Sequence, residues 1–221
     1  MSVPPEPEYR PPAPDALHIV YADESILVAD KPAGLLSVPG RGDHKQASVL
    51  SYLRDLFGSA FDVHRLDLDT SGLILLARVP SAQTDLAKQF ASRTVSKTYN
   101  ALVRGVMESS AGEIDLPIGR DWNERPRRRI DHEAGKPSRT VWWLEAQGLR
   151  NAHLRLQPVT GRTHQLRLHL ASIGHPILGD RLYDSAYAQG RLNLHASSLA
   201  FTHPETGKPM QFLSAAPFAL L

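Results

Sequence analysis

Between Gly72 and Ala77 the chain reads Gly-Leu-Ile-Leu-Leu-Ala, six residues without a polar side chain. A run this short has the length of a strand, and its lack of alternation means that both faces must be buried. Directly before it stands His64-Arg65-Leu66-Asp67-Leu68-Asp69-Thr70-Ser71. A loop crowded with ionisable and hydroxyl groups therefore feeds the most apolar strand of the chain. Loops held at the ends of buried strands are common carriers of chemistry. Taken locally, the same residues also fit a polar turn capped by Asp69 and Thr70, with Gly72 supplying a backbone angle that other residues resist.

Around this strand the pattern alternates short strands with few helices. Leu17–Tyr21 and Ile26–Ala29 form a hairpin pattern, broken by Lys31-Pro32-Ala33-Gly34. Ser48–Phe57 has helical spacing, with Val49, Leu50, Leu53 and Leu56 on one side, and a second helix is expected over Ser81–Ser92. Strands are expected at Tyr99–Val103, Val141–Leu144, His153–Leu156 and Leu194–Ala200. Thr163–Ile173 is expected to be a helix, with Leu166, Leu170 and Ile173 in phase and Gly174 as its stop. Strands in succession between few helices point to an α+β fold rather than a βαβ repeat.

Six of the 17 prolines fall within the first 14 residues, so residues 1–16 are expected to be an extended, poorly packed lead, with one domain over 17–221. Only those 16 residues precede the first strand. At 42% hydrophobic, 221 residues can bury a core, which excludes a largely disordered protein. The absence of cysteine excludes disulfides, thiolate metal sites and a cysteine nucleophile. No apolar run approaches the roughly 20 residues that span a bilayer. The start lacks the charged and apolar regions of a signal peptide, so a cytoplasmic protein is expected. Net charge is +2, but residues 1–40 carry −4 and the remainder +6. Nineteen of the 25 basic residues are arginine, whose planar fork suits phosphates and carboxylates.

Three further segments are candidates. In Thr160-Gly161-Arg162-Thr163-His164-Gln165-Leu166-Arg167-Leu168-His169, Thr163 is placed to cap the helix and leave an anion site beside Arg162. An amphipathic helix with a solvated Arg/His face is the plainer account. In Lys97-Thr98-Tyr99-Asn100-Ala101, Tyr99 is equally a strand-filling core aromatic. Arg120 to Arg129 holds five arginines against Asp121 and Glu124, with Trp122 among them, and has the composition of a basic RNA-contacting loop or of a solvated face.

His64-Arg65-Leu66-Asp67 followed by Thr70-Ser71-Gly72-Leu73 resembles the signature loop of RluA-type pseudouridine synthases. Four other blocks resemble the same family in the same order: Lys31-Pro32-Ala33-Gly34-Leu35-Leu36-Ser37-Val38-Pro39-Gly40, Lys97-x-Tyr99-x-Ala101, Thr160 to Arg167, and Gly174-His175-Pro176-Ile177-Leu178-Gly179-Asp180. The resemblance runs from about Leu17 to Phe212–Pro217. The stretch Asp121-Trp122-x-x-Arg125-Pro126, with Glu133-x-Gly135-Lys136-Pro137, is most like the dual-specificity members, which modify a tRNA anticodon stem-loop and a 23S rRNA hairpin.

The resemblance implies a mixed, mostly antiparallel central sheet with flanking helices and a cleft, without a separate S4 RNA-binding domain. It implies isomerisation of uridine to pseudouridine in structured RNA, with the target base flipped out. Asp67 matches the family's catalytic aspartate, acting at ribose C1′ as nucleophile or removing a ribose proton. Arg162 matches the arginine that keeps it ionised, and Tyr99 the tyrosine that stacks on the base. His64, Arg65, His164, Gln165 and Leu168 fall at positions expected to contact substrate, with plain core packing an equal account of Leu168. Arg120, Arg125, Arg127 and Arg128 are expected to meet phosphates. No redox step occurs, so no cofactor or metal is implied, and the partner is RNA, met by a monomer away from membranes. Rival accounts are a hydrolase pairing Asp67 with Asp62 or Asp69, a metal site on His164, His169 and His175, and a non-catalytic RNA-binding protein on the same scaffold.

Overall fold

The computed structural model describes residues 8–184, 186 and 190–219. In chain order the first elements are β1 (His18–Ala22), β2 (Ile26–Lys31), α1 (Val49–Phe57), β3 (Phe61–Asp62), β4 (Ser71–Ala77) and α2 (Pro80–Ala91). Then come β5 (Ser96–Arg104), β6 (Ala111–Asp115), β7 (Ile118–Arg120), β8 (Arg128–Ile130), β9 (Arg139–Gln147), β10 (Asn151–Pro158) and α3 (Gln165–Ser172). The last strands are β11 (Leu194–Thr202) and β12 (Pro209–Leu213). The class is α+β with mostly antiparallel strands. The chain divides into two compact units, the first made of Glu8–Lys97 with Ala196–Ala215, the second chiefly of Thr98–His195.

In the first unit the strand order is β1-β2-β4-β11, with β3 also on β4 and β12 on β11. The expected hairpin forms because Asp23 accepts the Ser25 and Ile26 backbone N–H groups at 2.8 Å each, closing its turn. β4 pairs antiparallel to β2, with Leu27 opposite Leu76 and Ala29 opposite Ile74. All seven of its residues are buried, as the unbroken apolar run requires. Leu73, Leu75 and Ala77 pack with Ala82 and Leu86 of α2, while Ile74 and Leu76 take the opposite face. Burial of such side chains supplies about 1.5–3 kcal/mol each. Gly72 has φ +110°, and a Cβ there would overlap the Ala196 backbone, so β4 can meet β11 this closely only with glycine.

α1 starts where its sequence allows a capping box: Ser48 Oγ accepts the Ser51 N–H, and Ser51 Oγ accepts the Ser48 N–H. The proline-rich lead is tied to the first unit at Tyr9 and Pro12. Tyr9 donates to the Ala47 carbonyl (2.8 Å) and accepts from the Leu36 N–H (3.1 Å), while Tyr52 donates to the Pro12 carbonyl (3.0 Å). The distant Tyr52 satisfies a carbonyl of the lead, and Tyr9 of the lead satisfies backbone groups at Leu36 and Ala47, pairings invisible to local composition. The lead is thus anchored at Tyr9 and Pro12, while Glu8, Arg10 and residues 13–16 are exposed, and residues 1–7 lie outside the described residues.

The second unit is a β5-β10-β9-β6 antiparallel sheet with a separate β7-β8 hairpin. β6, β7 and β8 carry too much charge and glycine to stand out as strands in the sequence. α3 begins at Gln165 rather than Thr163, and Thr163 does not cap it; His164 takes the N-cap position in the left-handed conformation, without a side-chain cap bond. Nor is its polar face solvated: Gln165 through Leu170 are all buried. Gly174, at φ +86°, ends this segment as expected, donating to the Ala171 carbonyl. Among the described residues, no helix is long and apolar enough to cross a membrane.

Candidate active site

The Asp67 loop joins β3 to β4 and is held from below. Ser37 Oγ donates to the Leu66 carbonyl (2.8 Å) and accepts the Leu66 N–H (3.0 Å). The Leu68 carbonyl receives the Gly34 N–H and Lys31 Nζ, both at 2.9 Å. Lys31 is fully buried, and its Nζ also donates to Leu35 O (2.7 Å) and Pro32 O (3.0 Å). Three carbonyls match the three protons of an ammonium. Burial pushes Lys31 down to about 7, and the carboxylates of Asp69 and then Asp67 pull the other way. The Thr70 N–H donates to the Asp67 carbonyl (3.2 Å), so both sides of Asp67 are fixed while its side chain is half-exposed. The sequence marks Lys31-Pro32-Ala33-Gly34 as a motif but assigns Lys31 no part. The available clue is a charged residue ending an apolar strand.

His64 lies in the same loop. Its Nε2 accepts the Leu75 N–H (3.0 Å), and its ring stacks on Phe90 at 4.6 Å. Burial, with Lys97 adding repulsion, pushes it down to about 3, so it is neutral and engaged with the scaffold. Arg65 next to it is exposed.

The remaining expected residues belong to the second unit. Tyr99 is buried on β5 opposite Leu156 of β10. Arg162 sits in the turn before α3, where its Nε donates to the Pro137 carbonyl at 3.4 Å. Gln165 is 3% exposed and its amide is spent inside. Its Oε1 accepts Thr160 Oγ1 (2.7 Å) and the Arg162 N–H (3.0 Å), while Nε2 donates to Arg139 O (2.9 Å) and Thr140 Oγ1 (3.1 Å). Gln165 therefore shapes the Arg162 turn instead of reaching out. Leu168 packs with Ile118, Leu182 and Tyr183 in a core cluster, which is the packing account.

Tyr183 links this helix to the basic hairpin. Its hydroxyl accepts the Arg128 N–H (2.8 Å) and meets His164 Nδ1 (2.9 Å), and the Arg127 and Arg167 guanidiniums lie 5.5 and 5.4 Å from its ring. Arg167 is itself held by Asp180 through two 2.7 Å bonds, both groups buried. Arg127 pairs with Glu124. Arg120 and Arg125 instead flank Trp122, at 5.4 and 4.8 Å from its ring. The three histidines weighed as metal ligands are each engaged elsewhere: His164 with Tyr183, His169 between Thr140 Oγ1 (2.9 Å) and Leu116 O (3.0 Å), His175 on Arg104 O (3.0 Å). Among the described residues no three His, Asp or Glu side chains group as metal ligands do.

An α+β fold that braces one aspartate loop beneath its side chain and offers an arginine-rich hairpin fits an enzyme that works on a polyanion. The family model described as RNA pseudouridylate synthase matches residues 25–172. The chain is 43% identical over 215 residues to the Dual-specificity RNA pseudouridine synthase RluA of Haemophilus influenzae, covering 96% of this chain and 98% of the relative. It is 43% identical over 214 residues to the protein of that name from Escherichia coli K12, covering 95% and 98%. Its fold is similar to that of Human RNA Pseudouridylate Synthase Domain Containing 1, with a TM-score of 0.80 and 31% identity over 95% of this chain and 87% of that one. The chain belongs to the RNA pseudouridylate synthase family, and it isomerises uridine to pseudouridine in RNA.

Proposed function

We propose that the enzyme has two substrates, a tRNA anticodon stem-loop and a 23S rRNA hairpin, and that Asp67 carries the reaction. Two relatives of dual specificity, each matched along almost its whole length, support the substrate pair. The observation that carries the role of Asp67 is the bracing of its loop at Leu66 and Leu68 by Ser37, Gly34 and Lys31. A braced backbone with a half-exposed carboxylate is what positioned chemistry demands.

In the reaction the C1′–N1 bond breaks, the C1′–C5 bond forms, the proton on C5 leaves and N1 gains one, with no change of redox state. Asp67 acts at the ribose, as nucleophile on C1′ or as base toward a glycal, and both routes need it ionised. Arg162 supplies the charge that keeps a carboxylate ionised when substrate excludes water. Tyr99 stacks on the base and assists loss of the C5 proton. Arg65 holds the flipped nucleotide, and Arg120 and Arg125 meet phosphates. Residues 17–221 act as the catalytic domain, working as a monomer in the cytoplasm.

The test is to treat unmodified tRNA and 23S rRNA with the protein and map pseudouridine by carbodiimide labelling and reverse-transcription stops. New stops in both RNAs, absent with Asp67→Asn and with Arg162→Met, are expected. Stops in one RNA only would cut the substrate pair to one. Unchanged stops with Asp67→Asn would remove that residue from the mechanism. With Tyr99→Phe, binding is expected to persist while the final product fails to form.

A further inference from the structure

The protein has three tryptophans, and their surroundings differ. Trp142 is 6% exposed. Trp143 lies half-buried under Arg155, at 4.1 Å, and that arginine is neutralised by Glu145 at 2.7 Å. Trp122 is 61% exposed at the tip of the β7-β8 hairpin. Its two neighbouring guanidiniums, Arg120 and Arg125, have no carboxylate partner among the described residues. Both guanidiniums lie over the ring on exposed, flexible side chains, so a flat partner reaches the indole by displacing one of them.

The tip is not loose. Asp121 Oδ1 accepts the N–H groups of Asn123 and Glu124 at 3.1 Å each, and the Arg127 N–H donates to the Glu124 carbonyl at 2.8 Å. The Asp121 N–H donates to the Arg127 carbonyl at 3.3 Å, closing the turn. At the base, Ile118 and Ile130 enter the core cluster with Leu168 and Leu182, and the Arg128 N–H is fixed by Tyr183. An indole is thus presented outward on a stapled turn, which lowers the entropy lost when something packs on it.

We infer that Trp122, bracketed by Arg120 and Arg125, is a stacking platform for an unpaired nucleobase of the RNA substrate. An exposed indole takes the π-face of any base, and two guanidiniums without a carboxylate partner, swung from the ring, suit the phosphates that flank it. A protein partner would not call for two unpaired cations of the same sign beside the ring; charge complementarity selects the polyanion. The proposal rests on the chain's acting on RNA, and it adds a contact that carries no base identity, so one platform serves two unlike substrates.

The test uses the full chain with Asp67→Asn, so that RNA is not turned over, and two probes: an unmodified anticodon stem-loop and a decamer of oligouridylate. Binding is followed by tryptophan fluorescence and by Kd between 50 and 200 mM salt. With Trp122 present, both RNAs are expected to quench emission, and Trp122→Phe is expected to abolish most of the quench while keeping affinity within about twofold. Trp122→Ala is expected to weaken both probes about tenfold with the salt slope unchanged. Arg120→Gln with Arg125→Gln is expected to flatten the slope.

Trp122→Ala binding as tightly as its parent would overturn the platform. So would Trp122→Leu restoring affinity as well as Phe, since bulk alone would then suffice. If the wild type modifies neither RNA while Trp122 still governs oligouridylate binding, the substrate assignment falls and the platform stands. If both RNAs are modified and Trp122 governs neither probe, the platform falls alone.

Discussion

The Asp67 loop and the β7-β8 hairpin answer opposite demands with the same kinds of side chain. Around Asp67 the cation, Lys31, is buried and donates only to backbone carbonyls of its own unit. On the hairpin, Arg120 and Arg125 lie over an exposed indole and have no carboxylate partner among the described residues. A satisfied buried cation fixes geometry, because any shift leaves polar groups unpaired in a medium that punishes it. An unsatisfied exposed cation stores attraction for a partner. The contrast teaches that fixing and presenting charge are divided: one region spends its cation inside on backbone carbonyls, the other leaves its cations exposed.

The hardest break in that contrast is Asp67→Asn. Pseudouridine formation is expected to fall by at least about 10³-fold, with the melting temperature unchanged, because the loop is braced through backbone groups that the substitution leaves alone. An unchanged rate would reduce the braced loop to structure. Next comes Lys31→Met, which leaves the Leu35 and Pro32 carbonyls without their Nζ donor while Leu68 O keeps the Gly34 N–H, and is expected to cost about 2–3 kcal/mol in urea unfolding. A cost below about 1 kcal/mol would mean that Lys31 is not the brace.

The pH dependence of stability sharpens the same point. His64 has a folded pKa pushed down to about 3 from an ordinary 6.5. Between those values the unfolded chain binds the extra proton, so stability is present above pH 6.5 and is lost as pH falls toward 3. By pH 4 the loss is expected to be about 3 kcal/mol. His64→Gln, which keeps an acceptor for the Leu75 N–H and does not titrate, is expected to remove this slope in urea titrations at several pH values. The smallest effect belongs to the hairpin. Arg120→Gln with Arg125→Gln is expected to lower the slope of log Kd against log salt by roughly 1.5, leaving stability unchanged. A loss of stability instead would show the arginines to be part of the scaffold.

The first unit was largely legible in the sequence. The unbroken run before Ala77 required a strand buried on both faces, and β4 is one. The Ser48 start of α1 and the hairpin of β1 and β2 follow local rules of capping and alternation. The second unit was not so open. α3 has a polar sequence pattern but is buried from Gln165 through Leu170, because Arg167 finds Asp180, His169 finds Thr140 and Leu116, and Gln165 finds four partners. Each partner lies 13 to 53 residues away, except those in the Arg162 turn, and no periodicity encodes them.

The candidate site divides in the same way. Asp67, Arg162 and Tyr99 are marked by blocks that resemble the family's, while local chemistry alone gives the Asp67 loop and Tyr99 a plain structural account as well. That Gln165 shapes the Arg162 turn, that His64 is neutral against Phe90, and that Lys31 braces Leu68 depend on burial, which a one-dimensional pattern does not carry. The sequence by itself determined β1, β2, β4 and the main strands of the second unit, the α+β class and the family, because these follow from short-range hydrophobic pattern and ordered motifs. Only the tertiary structure decided which polar groups are spent inside and which remain for a ligand, because hydrogen-bond satisfaction is a property of what folds against a residue rather than of the residue.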